Sequence, residues 1–147
     1  MRLRAVTLFA LLGAATASAA DPVIEKIEAK LFLADSGTLS GDVASGSGVA
    51  LWNMTIGGEG ERADDVLIVV TVKADAGEFI KVPFEIEIKG ADGKVVASRK
   101  TENILIGASG LMSQGVYLQD ATCTALKVTA TVGKSTKATE VPFACGE

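Results

Sequence analysis

The stretch that decides the fold is residues 82–99, VPFEIEIKGADGKVVASR. Even-numbered positions from 82 to 88 carry Val, Phe and Ile, whereas odd-numbered ones carry Pro and Glu. This period of two is typical of a half-buried β-strand. The Asp92-Gly93 pair permits the positive φ angles of a tight reversal, so residues 94–99 return as a second strand. The stretch therefore predicts an antiparallel hairpin with one buried face.

Two finer expectations concern this hairpin. Val95 and Ala97 on the returning strand should face the same core as the first strand. Pro83 has no N–H to donate and lies on the outward side. Since proline within sheets is confined mainly to edges, strand ends and bulges, we expect the first strand to lie toward a sheet edge.

Similar patterns predict strands elsewhere, over residues 27–33, 49–56, 115–119 and 126–132. A helix is the alternative near residue 27, because Ile24, Ile27 and Leu31 also fit helical spacing. For the last hairpin, a four-residue loop over 133–136 pairs Val132 with Lys137 and Leu126 with Phe143, which unites the two apolar faces.

One segment is apolar almost throughout, residues 66–73 with the sequence VLIVVTVK. Such a run predicts a central strand that is covered on both faces. Leu67 and Val69 point to the second face, which the preceding loop or another molecule must then cover.

Seven or eight short strands with turn signals between them predict an all-β fold, an antiparallel β-sandwich of Ig-like or C2-like type. The segments SGTLSG (36–41), ALWN (50–53) and GEGE (58–61) are similar to those of small exported bacterial β-sandwich proteins. This resemblance implies an architecture and no activity. We expect a single domain over residues 21–147.

Residues 1–20 have the pattern of a secretory signal peptide. Arg2 and Arg4 precede an apolar run over residues 5–15, and Ala17-Ser18-Ala19 matches the cleavage pattern. The mature chain has no other run of membrane-spanning length, so we expect a periplasmic or secreted protein. In such a compartment Cys123 and Cys145, the only two cysteines, are expected to form a disulfide. Free thiols for metal or redox chemistry are the alternative.

The composition of the chain excludes several classes of function. The chain contains no histidine, which excludes histidine metal ligands and nucleophile–histidine pairs. Its formal charge of −4 argues against nucleic acid as a partner. Neither a G-x-S-x-G nor an S-x-x-K motif is present, so the sequence predicts a non-enzymatic protein without a cofactor.

Calcium is the one ligand ion that the sequence suggests. Residues 57–65 are rich in carboxylates, and alternating strand directions should place this loop at the same end as Asp92. Calcium prefers several oxygens from flexible acidic loops. The same reasoning places Asp35 and Asp42 at the other end with Asp75 and Glu78. The candidate calcium ligands are Glu59, Glu61, Asp64, Asp65 and Asp92. The alternative is an acidic loop that is solvated and binds no ion.

Residues 34–48 form a Gly/Ser-rich segment whose length is typical of functional or disordered loops. Leu39 and Val43 are suited to dock on the apolar strand beside Leu67 and Val69. Trp52 is a candidate binding residue beside Tyr117, with a place in the core as the alternative. We therefore expect a binding module whose partner is an envelope or extracellular macromolecule or a second copy. The alternative is a calcium- or carbohydrate-binding module.

Export and disulfide formation can be tested together. Protein from the periplasm or medium of a bacterial host should begin at Ala20 or Asp21, and its intact mass should show that both thiols are oxidised. Reduction should lower the unfolding free energy by about 3 kcal/mol, because the bond closes a loop in the unfolded chain. An intact leader, or two free thiols after secretion, would contradict these expectations.

Overall fold

The computed structural model describes residues 20–44, 63, 65–121 and 125–142. The elements of these residues are β-strands throughout, and three of the ten strands have only two residues each. In chain order they are β1 (Val23–Leu33), β2 (Thr38–Leu39), β3 (Asp65–Lys73), β4 (Phe79–Ile80), β5 (Phe84–Lys89), β6 (Val95–Thr101), β7 (Ile104–Leu105), β8 (Leu111–Leu118), β9 (Leu126–Val132) and β10 (Ser135–Val141).

The strands form two four-stranded sheets, which confirms the all-β, antiparallel fold class. The first sheet has the order β2-β1-β3-β8 and the second β10-β9-β5-β6, while β4 and β7 make a small separate ribbon. Every described pairing is antiparallel. The predicted strand over residues 49–56 and both cysteines lie outside the described residues.

The core lies between the inner faces of the two sheets. The first sheet contributes alternate residues of β3, which has the central place that its apolar sequence predicts. The second sheet contributes alternate residues of β5 and β9. The fully buried positions on these three strands are Val66, Ile68, Val70, Val72, Phe84, Ile86, Ile88, Val128, Ala130 and Val132.

A β-bulge explains why the first strand also fits a helical spacing. The pairing of β1 with β3 shifts between Ile24 and Lys26, so that Glu25 is an extra residue. Ile24 and Ile27 are therefore both buried although they lie three positions apart. The segment is a strand, and the helical alternative was wrong.

A second irregularity overturns the expectation for Val95. In the β5–β6 hairpin Ile88 pairs with Ala97 but Lys89 pairs with Val95, which leaves Val96 as an extra residue. The extra residue reverses the alternation of side chains, so Val95 is 51% exposed. The tight turn itself forms as predicted, with Gly93 at φ 77°.

Two further expectations about the second sheet were wrong. β5 pairs with both β9 and β6, so it is an interior strand, and Pro83 avoids the ladder because it precedes the strand's first residue. The last hairpin has a two-residue loop in which Ser135 pairs with Val132 and Val141 with Leu126. Gly133, at φ 54°, allows this tighter turn. The register differs by two residues from the predicted one, so the same faces remain buried.

The assignment of the core residues predicts how two substitutions change the unfolding free energy. Phe84→Ala should lower the unfolding free energy by about 3–5 kcal/mol, because the ring is fully buried and its removal leaves a cavity. Phe79→Ala is the matched control, since this ring is 54% exposed and its loss should change stability by about 0.5 kcal/mol or less. Urea denaturation of both variants measures the difference, and equal losses would contradict the assignment of the core.

Candidate functional site

The structure describes two of the five candidate calcium ligands, Asp65 and Asp92. Glu59, Glu61 and Asp64 lie outside the described residues. Among the residues that are described, no group of three or more potential metal-ligating side chains comes together. For the calcium hypothesis, the structure therefore shows only which groups Asp65 and Asp92 are bonded to.

Asp65 is bonded to two donors from the end of β8. The Tyr117 hydroxyl donates to one carboxylate oxygen, and the Asp120 N–H donates to the other at 3.0 Å. The Tyr117 hydroxyl and then the Asp120 N–H lower the pKa of Asp65. The same bond raises the pKa of Tyr117. Asp120 has φ 47°, a left-handed conformation that aspartate tolerates better than most residues.

Asp92 is bonded within its own turn. The Lys94 N–H donates to Oδ1 at 3.0 Å, and the Lys94 ammonium lies 2.9 Å from Oδ2. The backbone N–H and then the ammonium lower the pKa of this carboxyl. Both described carboxylates thus have local donors as partners, and calcium binding stays a prediction.

The strand directions correct the expected distribution of acidic residues between the two ends. β1 and β3 are antiparallel neighbours, so the turn after Leu33 lies at the same end as Asp65, whatever path the chain takes between them. Asp35 therefore shares this end, and the β5–β6 turn with Asp92 lies there too. Asp75 and Glu78 follow β3 and lie at the opposite end. We call the end with Asp65 and Asp92 the upper end.

The segment after β1 lies along the outer edge of that strand. The Leu31 N–H donates to the Ser40 hydroxyl and the Ala29 N–H donates to the Asp42 carboxylate, each at 2.9 Å. These side chains take the place of backbone carbonyls and satisfy the edge of the sheet. Val43 enters the core at 3% exposure.

The other predicted binding residues are separated from one another. Leu39 is 47% exposed in β2. Leu67 and Val69 are half-buried on the outer face of β3, where Glu28 and Lys30 of β1 are their cross-strand partners. Leu67 leans over Gly115, where an added Cβ would lie 3.0 Å from its Cδ1. Trp52 lies outside the described residues, so a sugar-stacking pair with Tyr117 stays a prediction.

A groove of about 300 Å³ lies at the upper end between β6 and β8. Ala97, Leu118 and the buried Leu126 supply apolar lining. Val96 and Tyr117, which are 52% and 47% exposed, border it. We call this the β6–β8 groove; its lining residues are Val96, Ala97, Tyr117, Leu118, Gln119, Asp120, Ala121 and Leu126.

Below the groove, side chains join the two strands. The Gln114 amide donates to the Thr101 hydroxyl at 2.8 Å. The Arg99 guanidinium donates to the Gly115 carbonyl at 2.8 Å. We call the lateral edge of the sandwich between β6 and β8 the rim; among the described residues, side chains bridge its lower half and not its upper half.

Sequence reasoning missed most of this groove. It placed Tyr117 on a strand but gave no role to Val96, Leu118 or Asp120. The paired valines after the Gly93 turn are the signal that was available, because a turn with a glycine at positive φ often continues into a bulge. No local signal places Leu118 and Leu126 in one groove, since this depends on how the two sheets pack.

A scan against protein-family models finds no match, and a search of curated proteins finds none either. Among solved structures, the chain is similar to the Bifidobacterium dentium β-glucuronidase complexed with coumarin-3-O-glucuronide, at 15% identity and a TM-score of 0.45. The match covers 84% of this chain and 18% of the glucuronidase chain. A likeness this distant supports no conclusion about activity. None of the described residues belongs to a helix long and apolar enough to cross a membrane.

The Asp65–Tyr117 bond predicts a pH-dependent contribution to stability. A carboxyl whose pKa is lowered on folding stabilises the fold above its ordinary pKa, and that contribution is lost as the pH falls through the lowered value. The pKa of Tyr117 is raised on folding, so the effect of pH has the opposite sign. The contribution of the Tyr117 hydroxyl to stability is present below its ordinary pKa and is lost as the pH rises through the raised value.

Tyr117→Phe should therefore be less stable than the parent at neutral pH, and the difference should shrink below the ordinary aspartate pKa. Urea denaturation across the acid range measures this. Asp65→Asn is the companion variant, and the double variant should lose little more than either single one. A difference that does not vary with pH would show that the phenol acts only through packing.

Proposed function

We propose that this protein is an exported, non-enzymatic binding module of the periplasm or cell envelope, and that it binds through the β6–β8 groove. The observation that carries the proposal is the apolar groove bordered by the exposed residues Val96 and Tyr117. Exposed apolar surface next to a concavity is typical of sites that bind other molecules.

The surroundings of the groove favour binding over catalysis. Of the described residues that line it, Asp120 alone is charged. The neighbouring Asp65 already accepts hydrogen bonds from Tyr117 and Asp120, so it holds the tyrosine in place. An apolar groove beside a fixed aromatic side chain suits recognition of another macromolecule.

The proposal that the protein is exported rests on the leader-like sequence of residues 1–20. The proposal of a single domain rests on the core that the two sheets share. The sandwich type, Ig-like or C2-like, is part of the same proposal. On this interpretation the fold is a rigid support, and the partner is an envelope or extracellular macromolecule or a second copy.

Site-specific photocrosslinking tests this function in the cell. A benzophenone amino acid in place of Val96 should give a discrete crosslinked adduct in the envelope fraction, because this position borders the groove. The same amino acid in place of Lys134, in the exposed turn at the opposite end, is the matched control and should give none. An absence of adducts from position 96, or equal adducts from both positions, would refute binding at the groove.

A further inference from the structure

We infer that the β6–β8 groove takes an extended peptide segment of a partner protein, which adds as a strand to the free edge of β8. This inference rests on the proposed binding function and specifies its partner class. Main-chain hydrogen bonds to a sheet edge, with alternate side chains in pockets, are a general mode of peptide recognition.

The first argument is the direction of the backbone groups of β8. The Gly115 carbonyl accepts the Arg99 bond, so it points away from β3 and toward the rim. Backbone groups two residues apart in a strand point the same way, so the N–H and C=O of Tyr117 also point to the rim. β8 is the last strand of its sheet among those described. Among the described residues, the Tyr117 N–H and C=O have no backbone partner, so they offer a donor and an acceptor beside the groove.

The second argument is the uncovered inner side of β6. Ala97 is the cross-strand partner of Ile88, so it lies on the face that is turned toward the core. Ile88 is fully buried, whereas Ala97 is only half-buried. A strand added beyond β8 would lie over this side of β6 and continue the first sheet.

The third argument is the shape and charge of the groove. Ala97, Leu118 and Leu126 can receive an aliphatic side chain that points inward from an added strand. Asp120 lines the groove, and none of the lining residues is a lysine or arginine. The complementary segment therefore alternates aliphatic residues, which face the groove, with cationic residues.

The same features favour a separate peptide over a second copy. Thr101, Gln114 and Arg99 bridge the lower half of the rim, which leaves only a short open edge. Two copies of this acidic chain, with a formal charge of −4 each, would also repel each other. A short cationic segment meets neither obstacle.

The direct test uses a capped eight-residue peptide of alternating valine and lysine, titrated against the full mature chain. Two further versions carry N-methyl groups on the valines or on the lysines. Successive N–H groups of a strand point to opposite sides, so one version blocks the bonds to β8 and the other does not. We expect one version to bind about ten-fold or more weakly than the parent peptide and the other to bind like it.

A groove-filling variant locates the binding. Ala97→Phe places a ring in the groove and should weaken binding of the parent peptide by about ten-fold. Ala138→Phe, the same change at an exposed position of β10, should leave binding unchanged. Amide hydrogen exchange should slow at Tyr117 when the peptide is added. The N-methyl comparison needs no variant, so it decides the question even if Ala97→Phe does not fold.

Several results would overturn the inference. One is no binding of the parent peptide at millimolar concentration, and another is equal binding of both N-methyl versions. A third is a dimer by sedimentation in which Tyr117 is protected, which would assign the edge to a second copy. A fourth is joint protection of Tyr117 and residues 49–56 without peptide, which would assign it to the chain itself. If adducts still form from position 96 in any of these cases, the proposed function stands and strand addition alone fails.

Discussion

The burial of one face of β3 against β5 and β9 is the interaction on which the rest of the structure depends. Val66, Ile68, Val70 and Val72 have no exposed surface, and on the opposing β5 the side chains of Phe84, Ile86 and Ile88 are buried to the same degree. Burying a side chain of this size contributes about 1.5–3 kcal/mol, so a few such strands outweigh any surface ion pair. The sheets can therefore tolerate bulges, unpaired edges and exposed apolar residues elsewhere.

The two lateral rims of the sandwich are finished in different ways. At the β1 rim, Ser40 and Asp42 accept the strand's outward N–H groups, and the Ser135 hydroxyl accepts the Ile24 N–H at 3.0 Å. At the other rim, the side-chain bonds between described residues join β6 and β8 below the groove. An unsatisfied edge is a liability for a stable monomer, because it invites pairing with another chain. The binding function that we propose makes use of this same property at the β6–β8 groove.

Local patterns predicted the strands well wherever alternation was regular. The inward faces of β5 and β9 were predicted position by position, and β3 was correctly placed at the centre of its sheet. The errors came where one extra residue or a shorter turn changed the relation between sequence and space. The bulge at Glu25 imitated a helical spacing, and the extra Val96 turned Val95 outward. A two-residue turn at Gly133 replaced the expected four-residue loop.

The sequence by itself determined that the chain is built of strands and which side of most strands is apolar, because these properties follow from the residues within each segment. It also determined the absence of histidine and, through Gly93, the position of the tightest predicted reversal. The tertiary structure alone decided which strand is interior and which end each loop occupies. It also decided that Asp65 pairs with Tyr117 and that Leu118 and Leu126 line the same groove. These contacts join residues far apart in the chain, and they follow from sheet order and packing, which no local pattern encodes.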